Sequence, residues 1–354
     1  MSLSVPLLSA VVGCDGFAYV GHVVQGQLRI VGNVEPIDDV LASGRLTAEQ
    51  EEKLRLLVRA RDWAAQHIGL RVGDSYTTFY DTSGDPLAWN LSAARRDRLE
   101  AKTWWFPFLG EVPYLAFFDH DYLERFEARL TAQGYDTLSY ELDAYSTLGV
   151  FEDPVRSTML RRGKLSLVET VIHELLHNTI WRTNHTVFNE SLATFVGRRG
   201  AVEFLEQEFG PESGWAETAR LYYADLDAVN AFLADLYQRL RDYYGQPLSS
   251  DELIAGREAI FAAARQRFTD EILPTLSYPD SFAGYAELPT NNAWVLAHHR
   301  YNLDLDVFAE VFEATGRDWS AALAVYRAAA RAADDPFEYL RNWLGQQEQA
   351  GAGH

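Results

Sequence analysis

The sequence is poor in cysteine, in positive charge and in long apolar runs. Cys14 is the only cysteine of the 354 residues, so no intrachain disulfide can form and the fold cannot depend on one. Lysine and arginine number 31 against 51 aspartates and glutamates, and the formal net charge is −20. This charge argues against nonspecific nucleic-acid binding, which needs basic patches. Because no stretch of about 20 apolar residues occurs, we expect no transmembrane helix.

The most informative segment is residues 173–177, which read H-E-L-L-H and match the pattern H-E-x-x-H. Residues four apart project from one face of a helix, so His173 and His177 can reach a single Zn²⁺. Glu174 lies one residue further round, where it can act as the base for a zinc-bound water that attacks a carbonyl. Apolar neighbours predict a buried helix, opened by a capping box from Ser166 to Glu169. The alternative is a core helix whose histidines are satisfied in other ways.

A catalytic zinc site takes a third protein ligand, which the next helix can supply. That helix begins near Phe188, and Glu190 lies on its first turn, away from the apolar stripe. We therefore predict Glu190 as the third ligand, with Asn189 and Thr194 as groups that hold the ligands in position. An ordinary first-turn glutamate favoured by the helix dipole is one alternative, and His185 in the preceding loop is a rival ligand.

These motifs resemble the Glu-zincin metallopeptidases, the clan of thermolysin, in which a glutamate on the next helix completes the zinc site. The chain is more closely similar to a bacterial family of predicted aminopeptidases that are often described as lipoproteins. The resemblance extends from about residue 13 to about residue 308. Its supporting segments are Trp104–Pro107, Ala144–Gly149, Glu152–Pro154, Asn189–Gly197 and Asn291–Ala293.

The resemblance implies a zinc metallopeptidase that hydrolyses peptides, in particular an aminopeptidase. A non-catalytic zinc-binding envelope protein and an endopeptidase of the same fold remain alternatives. An aminopeptidase must bind the terminal ammonium of its substrate, and Glu152 and Asp153, which follow a predicted strand, are candidates for that role. An Asp-Pro turn explains the same residues without a substrate.

Patterns of apolar and turn residues predict a mainly α protein with a small β-sheet, formed by a zincin-like core and a helical C-terminal lobe. The predicted divisions are a signal segment at 1–14, a helical region at 15–72, the sheet with the metal-binding helices at 73–210, a helical lobe at 211–346 and a frayed tail at 347–354. Within them we predict a strand over 112–118 and a helix from Ser249, capped through Glu252. A substrate peptide is expected to pair with a sheet edge.

Residues 8–14 resemble a bacterial lipobox, which would make Cys14 the site of a lipid anchor and place the protein in the cell envelope. A signal peptide requires a positively charged N-terminal region, but no lysine or arginine precedes this segment. An apolar N-terminal strand and a cytoplasmic location are therefore the alternatives.

Peptide hydrolysis develops an oxyanion, and Glu-zincins supply a tyrosine or histidine donor to it from the chain that follows the zinc helices. Here residues 285–301 are rich in asparagine, histidine and tyrosine, and Tyr301 is our candidate for the donor. His298, His299 and Tyr285 are alternatives, as is a core tyrosine without a catalytic role.

Overall fold

The computed structural model describes residues 14–106, 110–142, 152–286, 291–301, 305–333 and 335–352. Within these ranges helices dominate and the strands are short, which confirms the predicted mainly α class. The helices are α1 (Cys14–Val31), α2 (Ile37–Ala42), α3 (Ala48–Trp63), α4 (His120–Ala132), α5 (Lys164–His177), α6 (Thr186–Phe209), α7 (Trp215–Tyr244), α8 (Ser250–Arg267), α9 (Asn292–Tyr301), α10 (Leu305–Ala314), α11 (Trp319–Arg331) and α12 (Pro336–Ala352). The strands are β1 (Glu35–Pro36), β2 (Thr78–Tyr80), β3 (Ala88–Arg95), β4 (Trp104–Phe106), β5 (Gly110–Val112), β6 (Tyr114–Phe117), β7 (Tyr135–Leu142) and β8 (Val155–Arg156).

The β component consists of three small sheets, with strand orders β1-β2-β8, β6-β3-β7 and β4-β5. Pairing is antiparallel except between β2 and β8, which run parallel. The strand predicted over 112–118 is divided at Pro113, so that β5 and β6 belong to different sheets. Proline has no N–H to donate to a ladder, which explains the break.

Helix starts test the predicted caps. The box at Ser249 is confirmed, because its hydroxyl accepts from the Glu252 N–H and the Glu252 side chain accepts from the Ser249 N–H. The capping box at Ser166 is wrong, since α5 begins at Lys164 with Gly163 as its N-cap. Ser166 lies inside the helix and accepts a hydrogen bond from the Arg162 side chain at 3.2 Å.

The site-bearing helices α5 and α6 lie in the largest apolar core. That core also includes α3 and residues from the last three helices, α10 to α12. A second core joins α7, α8 and α9, and a third joins α1 and α4 to β3 and β6. Buried on both sides, α5 and α6 form a rigid base for the side chains described next. Among the described residues, no helix is both long and apolar enough to cross a membrane.

Candidate metal site and its surroundings

Three predicted ligands meet between α5 and α6. His173 Nε2 lies 3.3 Å from Glu190 Oε2, and His177 Nε2 lies 3.6 Å from the same oxygen. One ligand atom from each of the three residues lies within 4.8 Å of the others. The i, i+4 spacing on α5 brings the imidazoles together, and the short loop to α6 returns Glu190 to face them.

These distances fit a tetrahedral ion. Two ligands that are each about 2.0–2.1 Å from such an ion lie about 3.3–3.4 Å apart, close to the separations found here. His177 Nδ1 is buried and has no hydrogen-bond partner within the described chain, and 3.6 Å is too long for a good hydrogen bond from its Nε2. A buried imidazole that is so weakly satisfied, beside a buried carboxylate, is well suited to hold a cation.

The pKa values of Glu190 and His173 are shifted by their mutual contact. Burial disfavours a charged Glu190, but His177 and His173 outweigh burial and hold the pKa of its carboxyl far below the ordinary value. Burial likewise lowers the pKa of His173, but the contact with Glu190 and the charge of Glu174 reverse the effect, and the net shift is upward. The carboxylate and imidazoles therefore attract each other strongly. The Glu174 side chain is only partly buried, so it is open to an approaching molecule.

Asn189 fastens the loop between the two helices. Its side-chain carbonyl accepts from the Arg182 N–H at 2.9 Å, and its side-chain amide donates to the Arg182 carbonyl at 2.8 Å. The loop is thereby held in one conformation directly before Glu190. Thr194, the other predicted supporting residue, is buried one turn further along α6. His185 lies at the N-cap of α6 with its Nδ1 3.0 Å from the Thr183 carbonyl oxygen, outside the group of three ligands.

Two glycines let α6 approach α5 closely. A Cβ added at Gly197 would lie 3.0 Å from the Glu169 carbonyl oxygen and 3.3 Å from the His173 Cβ. One at Gly200 would meet only side-chain carbons, Ile68 Cδ1 at 2.9 Å and Ile172 Cδ1 at 3.1 Å. The missing side chain at Gly197 therefore sets the distance between the helices at the candidate ligand His173.

Glu169, one helical turn before His173, belongs to a polar group that the sequence analysis did not predict. Tyr223 donates to its Oε2 at 3.2 Å, and Arg198 Nε lies 3.7 Å from its Oε1. Burial raises the pKa of the Glu169 carboxyl although Arg198 and His173 act in the opposite direction. The i, i+4 spacing of Glu169 and His173 was the only signal in the sequence, because Arg198 and Tyr223 come from other helices.

The two carboxylates predicted to bind the terminal ammonium of a substrate occupy different environments. Asp153 is 2% exposed and its Oδ1 lies 3.8 Å from the Arg156 guanidinium. Glu152 is exposed, and partial desolvation together with the neighbouring Asp74 raises the pKa of its carboxyl. The strand predicted before them, 145–151, lies outside the described residues.

The predicted oxyanion donor lies on α9, and two asparagines at the start of this helix anchor it to the sheet. Asn291 accepts from the Trp294 N–H and donates to the Thr137 carbonyl, and Asn292 donates to the Arg95 carbonyl. α9 ends at Tyr301, whose side chain lies outside the described part of the chain.

The alternatives to Tyr301 make aromatic contacts. The His298 ring lies 4.6 Å from Trp294 and 5.3 Å from Tyr285, and burial lowers its pKa to about 4. His299 stacks on Tyr237 at 4.1 Å. Residues 8–13 of the lipobox-like segment also lie outside the described range, and nothing in the structure bears on the side chain of Cys14.

The fold and the converging ligand atoms define a mainly helical protein with a candidate metal site of two histidines and one glutamate. The chain belongs to the family described as "Putative aminopeptidase", whose family model matches residues 18–339. The predicted resemblance to a family of putative aminopeptidases is thereby confirmed, and the family name indicates a peptidase acting on peptides. No curated protein and no solved structure matches the chain.

Proposed function

We propose that this protein is a zinc-dependent aminopeptidase in which His173, His177 and Glu190 hold the ion. The observation that carries the proposal is the approach of both imidazole Nε2 atoms to one oxygen of Glu190, at 3.3 Å and 3.6 Å. Two nitrogens and one carboxylate oxygen are a donor set typical of catalytic zinc, which keeps a fourth position open. A structural zinc site is usually closed by a fourth protein ligand, and among the described residues the group contains only three.

The chemistry is divided between the ion and the chain. When bound, zinc polarises the scissile carbonyl and lowers the pKa of water at the site toward about 7. Glu174, next to His173 and open to solvent, accepts the proton of the attacking water and passes it to the leaving amine. The Arg182–Asn189 hydrogen bonds and the buried packing of α5 and α6 hold these groups in place as the substrate reacts.

The first experiment measures metal content and hydrolysis together. The purified protein should contain about one zinc ion per chain by mass spectrometry and should cleave a peptide library. Glu174→Gln should keep the ion and lose about 10²–10⁴-fold in kcat, the usual contribution of general-base catalysis. Glu338→Gln, an exposed change on α12, is the control and should leave both unchanged. Undiminished hydrolysis by Glu174→Gln would remove Glu174 from the mechanism and point to a contaminating peptidase.

Selectivity for a free amino terminus is assigned to Glu152. Its carboxylate is exposed beside Asp74, and desolvation followed by the charge of Asp74 raises its pKa, so a substrate ammonium bound there would relieve the repulsion between the two carboxylates. Asp153 is buried against Arg156 and is better placed to fix the chain direction at this point than to touch substrate.

Matched peptides with free and acetylated amino termini test this assignment. The free peptide should be cleaved faster, and Glu152→Gln should raise its KM about tenfold while changing little for the acetylated one, since only the former loses an ion pair. Asp38→Asn, at an exposed acidic position on α2, is the charge-matched control. Equal rates for both peptides with the wild-type protein would show an endopeptidase instead.

A further inference from the structure

Residues 70–77 form a segment that runs beside the C-terminal end of α5. At one end, Arg71 donates its N–H to Thr179 Oγ1 at 2.9 Å and its guanidinium to the Asn178 carbonyl. At the other end, Tyr76 donates its N–H to the Asp153 carbonyl at 2.6 Å. The segment is therefore fixed to the chain that follows the catalytic helix and to the chain that precedes it.

The backbone at Tyr76 is held in an unusual conformation. Its φ is +62°, in the left-handed region that bulky side chains rarely adopt. Hydrogen bonds of the preceding residue help to maintain it, since Arg61 Nε donates to the Ser75 carbonyl at 2.6 Å and Ser75 Oγ accepts from the Asp153 N–H at 3.3 Å. Strain of this kind persists where the surroundings enforce it, and it is concentrated at functional sites. Here it directs the aromatic ring inward, where the residue is only 1% exposed.

The phenol of Tyr76 is buried without a hydrogen-bond partner within the described residues. Two other buried tyrosines differ, because Tyr326 donates to the Phe308 carbonyl at 2.7 Å and Tyr19 donates to the Ala116 carbonyl at 3.0 Å. A buried hydroxyl that makes no such bond is an exception that requires an explanation.

The charges near this phenol belong to the candidate active site. Burial, then the carboxylates of Glu174 and Asp153, raise the pKa of the Tyr76 phenol well above its ordinary value, and Arg156 opposes them only in part. The phenol therefore keeps its proton at neutral pH, and its O–H is a donor with the Glu174 carboxylate as a charged neighbour.

We propose that Tyr76 is a positioning residue for Glu174, to whose carboxylate its O–H donates a hydrogen bond through one ordered water. The proposal rests on the peptidase function and deepens it. A general base must present one oxygen to the attacking water, which requires its carboxylate to be held in one orientation. A donor held by an enforced backbone and a fixed segment supplies that restraint, with no conformational change at the moment of reaction.

Tyr76→Phe tests the proposal because it removes a single oxygen. We expect kcat to fall about 10- to 100-fold, the effect of losing a hydrogen bond to a charged group, while KM and zinc content stay unchanged. Thermal stability should change little, since the phenol has no direct hydrogen bond to another group of the described chain. Tyr326→Phe is the matched control: it removes a real hydrogen bond, so its Tm should fall while kcat is retained.

A double-mutant cycle decides whether Tyr76 acts through Glu174. In a Glu174→Asp background, whose shorter side chain withdraws the carboxylate, Tyr76→Phe should lower the residual kcat by less than about threefold. An unchanged kcat in the single variant, additive effects in the cycle, or a fall in kcat accompanied by loss of zinc or of Tm would each overturn the proposal. If the zinc-loaded wild type hydrolyses no peptide, the proposed function itself is refuted, whereas an active wild type with an unaffected Tyr76→Phe refutes the role of Tyr76 alone.

Discussion

Gly197→Ala is the most informative single change away from the reacting groups, because it adds one methyl group between α6 and α5 at a ligand. The new Cβ would lie 3.0 Å from the Glu169 carbonyl oxygen and 3.3 Å from the His173 Cβ. Both are backbone or backbone-proximal atoms that cannot rotate out of the way. Restoring ordinary contact requires the helices to separate by about 0.4 Å at this point.

Two effects of opposite sign act on the stability of this variant. Replacing glycine by alanine in the middle of a helix stabilises it by about 0.8–1.0 kcal/mol. Overpacking of a core costs about 1–3 kcal/mol. The free energy of unfolding should therefore fall by no more than about 2 kcal/mol, and the protein should remain folded.

Metal affinity should change far more than stability. Metal sites tolerate ligand distances within about 0.2 Å, which is less than the required displacement of His173. We expect the zinc dissociation constant, measured by chelator competition on the metal-stripped protein, to rise about 10- to 100-fold, as for other changes that disturb ligand orientation.

Gly200→Ala is the matched control, one turn along the same helix. Its Cβ would meet only side-chain carbons of Ile68 and Ile172, which are not candidate ligands, and neither backbone nor His173 is among its nearest contacts. It should bind zinc as the wild type does. Wild-type affinity in Gly197→Ala, or an equal loss in both variants, would refute the reasoning that the close approach at Gly197 sets the geometry of the site.

Four further predictions concern the rest of the chain. Because burial lowers the pKa of His298 to about 4, the unfolded chain gains a proton first as the pH falls from about 6.5, and stability present above pH 6.5 is lost toward pH 4. His298→Gln should remove up to about 3 kcal/mol of that loss from denaturant curves measured across this range, and parallel profiles would contradict it. Arg257 makes a buried bidentate pair with Asp136 at 2.6 and 2.8 Å, so Arg257→Met should destabilise the protein by about 3–5 kcal/mol in urea, and a loss below 1 kcal/mol would show that Asp136 finds another partner. Cys14→Ser should move the protein out of the membrane fraction if Cys14 is lipidated, and unchanged fractionation would refute lipidation. Tyr301→Phe should lower kcat at constant KM if its phenol stabilises the oxyanion, and an unchanged kcat would refute that role.

The parts of the site that were predictable are local in sequence. The spacing of His173 and His177 determines their common face as soon as the segment is helical, and Glu190 could be recognised because only a short loop separates the two helices. The cap at Ser249 is local in the same sense. Asn189, predicted as a group that holds the ligands in position, contacts the loop backbone at Arg182, which its position in the sequence does not indicate.

What could not be predicted depends on contacts between distant segments. Ser166 has the residue type of an N-cap, yet α5 starts before it because Gly163 already provides the extended conformation that a cap needs. Tyr76 carries no motif at all. Its significance comes from a left-handed φ, a buried hydroxyl and the charge of Glu174, none of which is a property of the residues adjacent to it.

The short loop closed by Asn189 has a consequence for the order of assembly. His173 and Glu190 are only 17 positions apart. Bringing these candidate ligands together therefore costs little chain entropy, because the contacts join residues that are close in the sequence. The segment that carries Tyr76 must instead dock across a much longer loop, since Ser75 and Asp153 are separated by 78 positions. If the proposed function holds, the chain should therefore become able to bind zinc during folding before it can position Glu174. A folding experiment that follows zinc uptake and the appearance of activity as separate signals should find that uptake comes first.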